Sequence, residues 1–233
     1  MTFLMAGEQL IGAKQNRVLN VSLMVGAHTA LSVPVSCVEA GRWRSRSAKF
    51  ASGGTMSYGI MRKMMSKHVR ESYRQRGTPS ANQGEVWDEV KRKLHALAST
   101  SPSQEFDQVY KDYRMPLEDL LRELTPPAGC YGVVFAVGGK IAGADMFDQP
   151  ATLVKLWPKL VRAYALDVLE AKDPESSVTA EEAERWVRSA AGAKVEQFST
   201  PGLGQDIRLE AAGLAGAALI VEGQPVHVEL FVD

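Results

Sequence analysis

Only two cysteines occur in the chain, Cys37 and Cys130, far apart and outside any CxxC spacing. A disulfide framework or a thiolate metal site needs more sulfur, or closer sulfur, so neither is expected. Histidine is scarce as well. His28, His68, His95 and His227 fall on a turn, two helices and a terminal strand, none at metal-ligand spacing, so no metal site is expected. No apolar run approaches the roughly 18 to 20 residues that cross a bilayer. Met1 to Ala6 has neither the length nor the basic flank of a secretory signal, which leaves the cytoplasm as the expected compartment. GxSxG, Walker, HExxH and pre-helical GxGxxG motifs are all missing, so no standard catalytic machinery and no particular cofactor is indicated. Pro201-Gly202-Leu203-Gly204 leads into a strand and offers no helix N-terminus to an anion.

Net charge is absent too, with 27 basic and 27 acidic residues, but the balance is uneven along the chain. Residues 1–80 carry twelve Lys or Arg against Glu8, Glu39 and Glu71, a net +9 that the remainder cancels with −9. Such a basic third attracts phosphates or an acidic partner, or docks on the acidic remainder of its own chain. A pI near 7 argues against general nucleic-acid binding.

What is present is an α+β pattern, with 45% apolar residues in 233, enough for one compact domain spanning 1–233. Residues 1–57 read as an antiparallel β-meander and a basic loop. Leu19, Val21, Leu23 and Val25 alternate with polar residues, Gly26 to Thr29 turn, and Leu31, Val33 and Val35 resume the alternation. Residues 41–57 read as a mobile Gly/Ser/Arg-rich loop. Residues 58–127 are helical: Ile60, Met64, Met65 and Val69 mark one helix and Val86, Val90, Leu94 and Leu97 a second. A third starts near Ser101 and is interrupted at Pro116. Residues 128–233 form a C-terminal α+β part with a mainly antiparallel sheet. It has a hairpin at Gly138-Gly139, a helix entered through Asp148-Gln149-Pro150 and kinked at Pro158, an acidic helix capped by Thr179, and a last hairpin at Gly223-Gln224.

Polar residues concentrate in two stretches of the β-rich part, Gly12 to Arg17 and Val35 to Arg46. Arg42, Arg44 and Arg46 offer guanidinium forks to phosphate, and Trp43 among them offers a stacking face. A solvated charge run would look the same. Gln15 and Asn16 are costly in a strand unless hydrogen-bonded, so they tie down loops or contact a ligand. Lys14 and Arg17 complete the candidate ligand-binding set. Glu8, Glu39 and Asp148 are the candidate acids or bases, although Glu8 and Lys14 fit a salt bridge equally well. Cys37 follows the apolar register of Val33 and Val35 and reads as an inert thiol rather than a nucleophile. The register puts Lys14 and Asn16 on one face and Gln15 and Arg17 on the other, with a pocket at the sheet edge under the Arg42 to Arg46 loop.

Several motifs in one order, Gly7-Glu8, Gly12 to Asn20, Pro34 to Glu39 with Gly41-Arg42-Trp43, Gln83 to Trp87, and Phe147 to Leu153 with Leu156-Trp157, resemble the ARG and Rhodanese-Phosphatase-superfamily-associated Protein domain family. The resemblance spans nearly the whole chain, and the segment the family pattern places ahead of Gly7-Glu8 is expected to be lacking here. It implies association with ADP-ribosylglycohydrolase and phosphatase-type proteins, and hence ADP-ribose or NAD metabolism, without an activity to carry over. The expected function is therefore binding of, or action on, an ADP-ribose-like or other phosphorylated nucleotide. The alternative is a non-catalytic interaction or oligomerisation module.

Overall fold

The computed structural model describes residues 1–171 and 176–233. Its architecture is α+β, as expected. Six short strands open the chain: β1 (Thr2–Leu4), β2 (Glu8–Gly12), β3 (Arg17–Leu19), β4 (Leu23–Val25), β5 (Val35–Cys37) and β6 (Phe50–Met56). They form a β1-β4 ribbon and an antiparallel four-stranded sheet in the order β5-β3-β2-β6. The single strand expected over Leu19 to Val25 is broken, because Asn20 turns inward. Its backbone N–H donates to the Pro34 carbonyl and its amide to the Pro79 carbonyl, while Ser36 donates to its Oδ1. The second half of the expected mobile loop is strand β6, paired with β2. Glycine permits this approach: a Cβ at Gly53 would lie 2.9 Å from Gln9 Oε1.

Four helices follow: α1 (Gly59–Arg76), α2 (Gln83–Ala96), α3 (Asp107–Asp112) and α4 (Arg114–Glu123). Met61 and Met65 pack with Val86, Val90, Leu94, Phe106, Val109 and Leu166 in the largest apolar cluster. The methionines are core filling. Met65 and Val69 of the expected α1 stripe are buried and Met64 is partly buried, whereas Ile60 faces solvent and Met61 takes the core position in its place. The third helix starts at Asp107 and breaks at Tyr113. Pro116 then sits in the first turn of α4, where a missing N–H leaves no intrahelical bond unmade.

Strands β7 (Gly132–Val137), β8 (Lys140–Phe147), β9 (Lys194–Ser199), β10 (Gln205–Ala211), β11 (Leu214–Val221) and β12 (Gln224–Phe231) build an antiparallel sheet in the order β7-β8-β12-β11-β10-β9. Gly138 and Gly139, both at positive φ, make the expected hairpin turn. The last hairpin turns on Glu222-Gly223, one residue earlier than expected, with φ of 51° and 77°. Helix α5 (Pro150–Val168) takes Pro150 in its first turn and runs on through Pro158. Gln149 rather than Asp148 holds its N-cap position. Helix α6 (Ala180–Ser189) has the Thr179–Glu182 capping box.

Helix α1 joins the two halves. Arg62, Arg70 and Arg74, spaced along one face, pair with Asp145 and Glu229, with Glu210 and Asp233, and with Glu196 and Glu210 of the acidic half. Part of the basic first third is thus neutralised inside its own chain.

Candidate functional site

The two polar stretches meet around one guanidinium. The β2–β3 turn is tight, with Ala13 at φ 45°, so strand alternation ends at Gly12. Gln15 and Asn16 both turn inward as a result, and only Lys14 points to solvent. Arg42 Nε donates to Glu39 Oε1 at 2.7 Å, and Nη2 lies 2.7 Å from Glu39 Oε2. Its Nη1 bridges the carbonyls of Ala13 and Arg44, each at 2.8 Å, and Nη2 also reaches Asn16 Oδ1 at 3.2 Å. Gln15 donates to the Glu39 carbonyl, and the Asn16 N–H donates to Glu39 Oε2. Burial alone would push the Glu39 carboxyl up; the bonds from Arg42, the Asn16 backbone and Ser103, with the Arg42 charge, hold it below the usual carboxylate range. Arg42, Glu39, Gln15 and Asn16 therefore latch the 42–49 loop over the β2–β3 turn. Gly12 accommodates that loop: a Cβ there would meet the Lys49 carbonyl at 2.5 Å.

The other expected residues sit around or apart from this latch. Lys14, Trp43 and Arg44 are exposed and, among the described residues, their side chains have no partner. Arg17 donates to Cys37 Sγ at 3.0 Å. Burial raises the Cys37 thiol above its ordinary value and the Arg17 charge offsets this only in part, so the thiol is protonated at neutral pH. Glu8, at the opposite end of β2, pairs with Lys159 of α5 and accepts the Met5 N–H, so its ion-pair partner is not Lys14. Asp148 is exposed at the entrance to α5.

A concave feature lies elsewhere, between the outer face of α1 and the start of α2. Two cavities of about 570 Å³ and 430 Å³ share His68, Glu71 and Glu85 as a common wall. The larger is lined by Ile60, Lys63, Met64 and Lys67; the smaller continues past Gln75, Arg76, Ser80 and Asn82. His68 Nε2 lies 2.9 Å from Glu85 Oε2, and Asn82 donates to Glu85 Oε1 at 2.6 Å. Lys63, Lys67 and Arg76 have no ion-pair partner among the described residues. The α2 N-terminus is not an open anion site, since Asn82 Oδ1 accepts from Gly84 and Glu85. The groove's cations are Lys63, Lys67 and Arg76, with the Glu71 and Glu85 carboxylates in the same lining.

A third cluster is buried under α1. Asp145, His227 and Glu229 place their ligand atoms within 4.8 Å of one another, a donor set that suits a divalent metal. Arg62 already fills the cation position: Nη1 and Nη2 bind the two Asp145 oxygens at 2.8 and 2.6 Å, and Nη2 reaches Glu229 at 3.0 Å. His227 spans Ser22 Oγ at 2.9 Å and Asp145 Oδ1 at 3.1 Å. Burial pushes Asp145 up, but the Arg62 charge and bonds and the His227 bond bring its pKa down to about 2. With a guanidinium seated between the carboxylates, the cluster is an ion-paired core rather than a vacant metal centre.

The groove and the buried cluster both escaped sequence reasoning. His227 and Glu229 share a face of β12, and Asp145 stands opposite Glu229 on β8, which is a matter of strand register. For the groove a signal existed. Residues 60, 63, 64, 67, 68 and 71 form a second, mixed apolar and cationic stripe on α1, overshadowed by the buried one.

Fold and surface thus define an α+β protein with a latched basic loop and a polar groove. The chain matches the model of the ARG and Rhodanese-Phosphatase-superfamily-associated Protein domain over residues 2–231 and belongs to that family. Comparison with curated proteins and with solved structures gave no match.

Proposed function

We propose that the protein binds a phosphorylated nucleotide of the ADP-ribose type in the α1–α2 groove. The observation that carries this reading is the union of Lys63 and Lys67, without an ion-pair partner among the described residues, with apolar Ile60 and Met64 in one cavity of about 570 Å³. Ligand sites commonly have volumes of roughly 300–1,000 Å³, with apolar walls and few polar anchors. The lysines would hold phosphate oxygens and Ile60 and Met64 the base, while the Glu71 and Glu85 carboxylates accept ribose hydroxyls. The family name, which links the domain to ARG proteins, supports the same ligand class. Isothermal titration with ADP-ribose tests it. Binding should weaken at least about tenfold in a Lys63→Ala/Lys67→Ala variant, in which two charge-assisted hydrogen bonds to phosphate can no longer form. Absence of heat, or equal affinity in the variant, contradicts the assignment.

The alternative, a module whose whole basic third meets a partner, draws less support. Arg62, Arg70 and Arg74 are already committed to internal carboxylates.

A further inference from the structure

The latched loop has a function separate from the groove: we infer that its outer face binds single-stranded nucleic acid. Trp43 is 67% exposed and Phe50, at the start of β6, 41% exposed. Large aromatic rings left in water are informative where they sit together with free charge. The loop is not a floppy charge run, because the Arg42 guanidinium holds the Ala13 and Arg44 carbonyls at 2.8 Å each. That one group brings the backbones carrying Lys14, Trp43 and Arg44 to a single place. Further bonds pin the rest of the loop: the Arg46 N–H donates to the Ala13 carbonyl at 2.9 Å and the Ala13 N–H to Ser47 Oγ at 3.2 Å. Glu39 and Glu105, the nearby acids, are neutralised by Arg42 and by Arg46 with Lys111.

What remains outward on the loop and the β2–β3 turn is Lys14, Arg44 and Lys49, with no partner among the described residues, together with the exposed rings of Trp43 and Phe50. Cations that follow a backbone beside aromatic faces that stack bases are the means by which proteins hold single strands without reading sequence. A duplex would keep its bases from these rings, and a purely acidic peptide would leave the rings without a π partner. Overall neutrality confines the footprint to this face, so binding should be local and salt-sensitive rather than general.

The test is fluorescence anisotropy of a short labelled oligothymidylate and the matching oligouridylate on the full chain, at about 50 and 200 mM salt. The expected result is binding that weakens about tenfold in Trp43→Ala. The salt dependence should have a slope near −2, falling by about 1.4 in Lys14→Ala/Arg44→Ala, at ~0.7 for each phosphate that is no longer neutralised. Lys63→Ala/Lys67→Ala should leave this binding unchanged, so failure of the groove assignment is separable from failure here. No binding at the lower salt, unchanged affinity in Trp43→Ala, or equal binding of a polyglutamate peptide would overturn the inference. All the substituted side chains are exposed, and circular dichroism of each variant verifies that the fold survives.

Discussion

Charged residues in this chain differ in energetic weight by how deeply their pairs lie. Lys93 is fully buried between Asp167 and Glu170 and above the Tyr58 ring, and Arg62 is nearly as deep against Asp145. Removing one member of such a pair leaves the other desolvated and uncompensated. Lys93→Ala and Arg62→Ala should each cost about 3–5 kcal/mol in urea unfolding. Arg74→Ala, whose pairs are partly solvated, should cost less than about 1 kcal/mol. The same reasoning fixes an acid limit. Asp145 has a folded pKa of about 2 against its ordinary 3.8, so its contribution is complete above pH 4 and is lost as pH falls towards 2. Thermal melts from pH 5 to about 2 should show the decline, and Asp145→Asn should flatten it, on an already lowered baseline. A wild-type melting temperature unchanged between pH 4 and 2 would contradict the assignment.

At the scale of elements, what could be read from sequence was what local chemistry dictates. The Gly138-Gly139 hairpin, the Thr179 capping box and Pro150 at the start of α5 each depend on a few neighbouring residues, and each is present. Misreadings arose where a distant partner decided. Residues 50–56 look like loop until β2 supplies a ladder, and Asn20 breaks its strand only because Pro34, Ser36 and Pro79 receive it. The candidate site was legible in part. That Gln15 and Asn16 would either tie down loops or contact a ligand was foreseeable from the cost of unpaired amides, whereas the inward turn of Arg42 depended on a turn at Ala13 that ended the strand register. This makes the latch testable as a unit. Arg42→Ala should open the 42–49 loop to limited proteolysis and destabilise the protein by about 3 kcal/mol, since Glu39 would stay buried without its counter-charge. A loop as resistant as wild type would show that Arg42 is not its clasp.

Across the whole molecule, the asymmetry of +9 and −9 resolves into two populations of cations. One is paired within the chain, Arg62, Arg70 and Arg74 fastening α1 to the acidic sheet and Arg42 and Arg46 pairing with Glu39 and Glu105. The other, without an ion-pair partner among the described residues, comprises Lys63, Lys67 and Arg76 in the groove, Lys14, Arg44 and Lys49 on the loop, and Arg17, which donates to Cys37. No helix among the described residues is long and apolar enough to cross a membrane. The proposed site of the phosphorylated nucleotide lies between α1 and α2. Its most direct test is a crystal of the full chain soaked with ADP-ribose. Density is expected between the helices, with phosphate oxygens within hydrogen-bond reach of Lys63 and Lys67; ligand bound away from the groove, or a groove left empty under saturating ligand, would overturn the assignment.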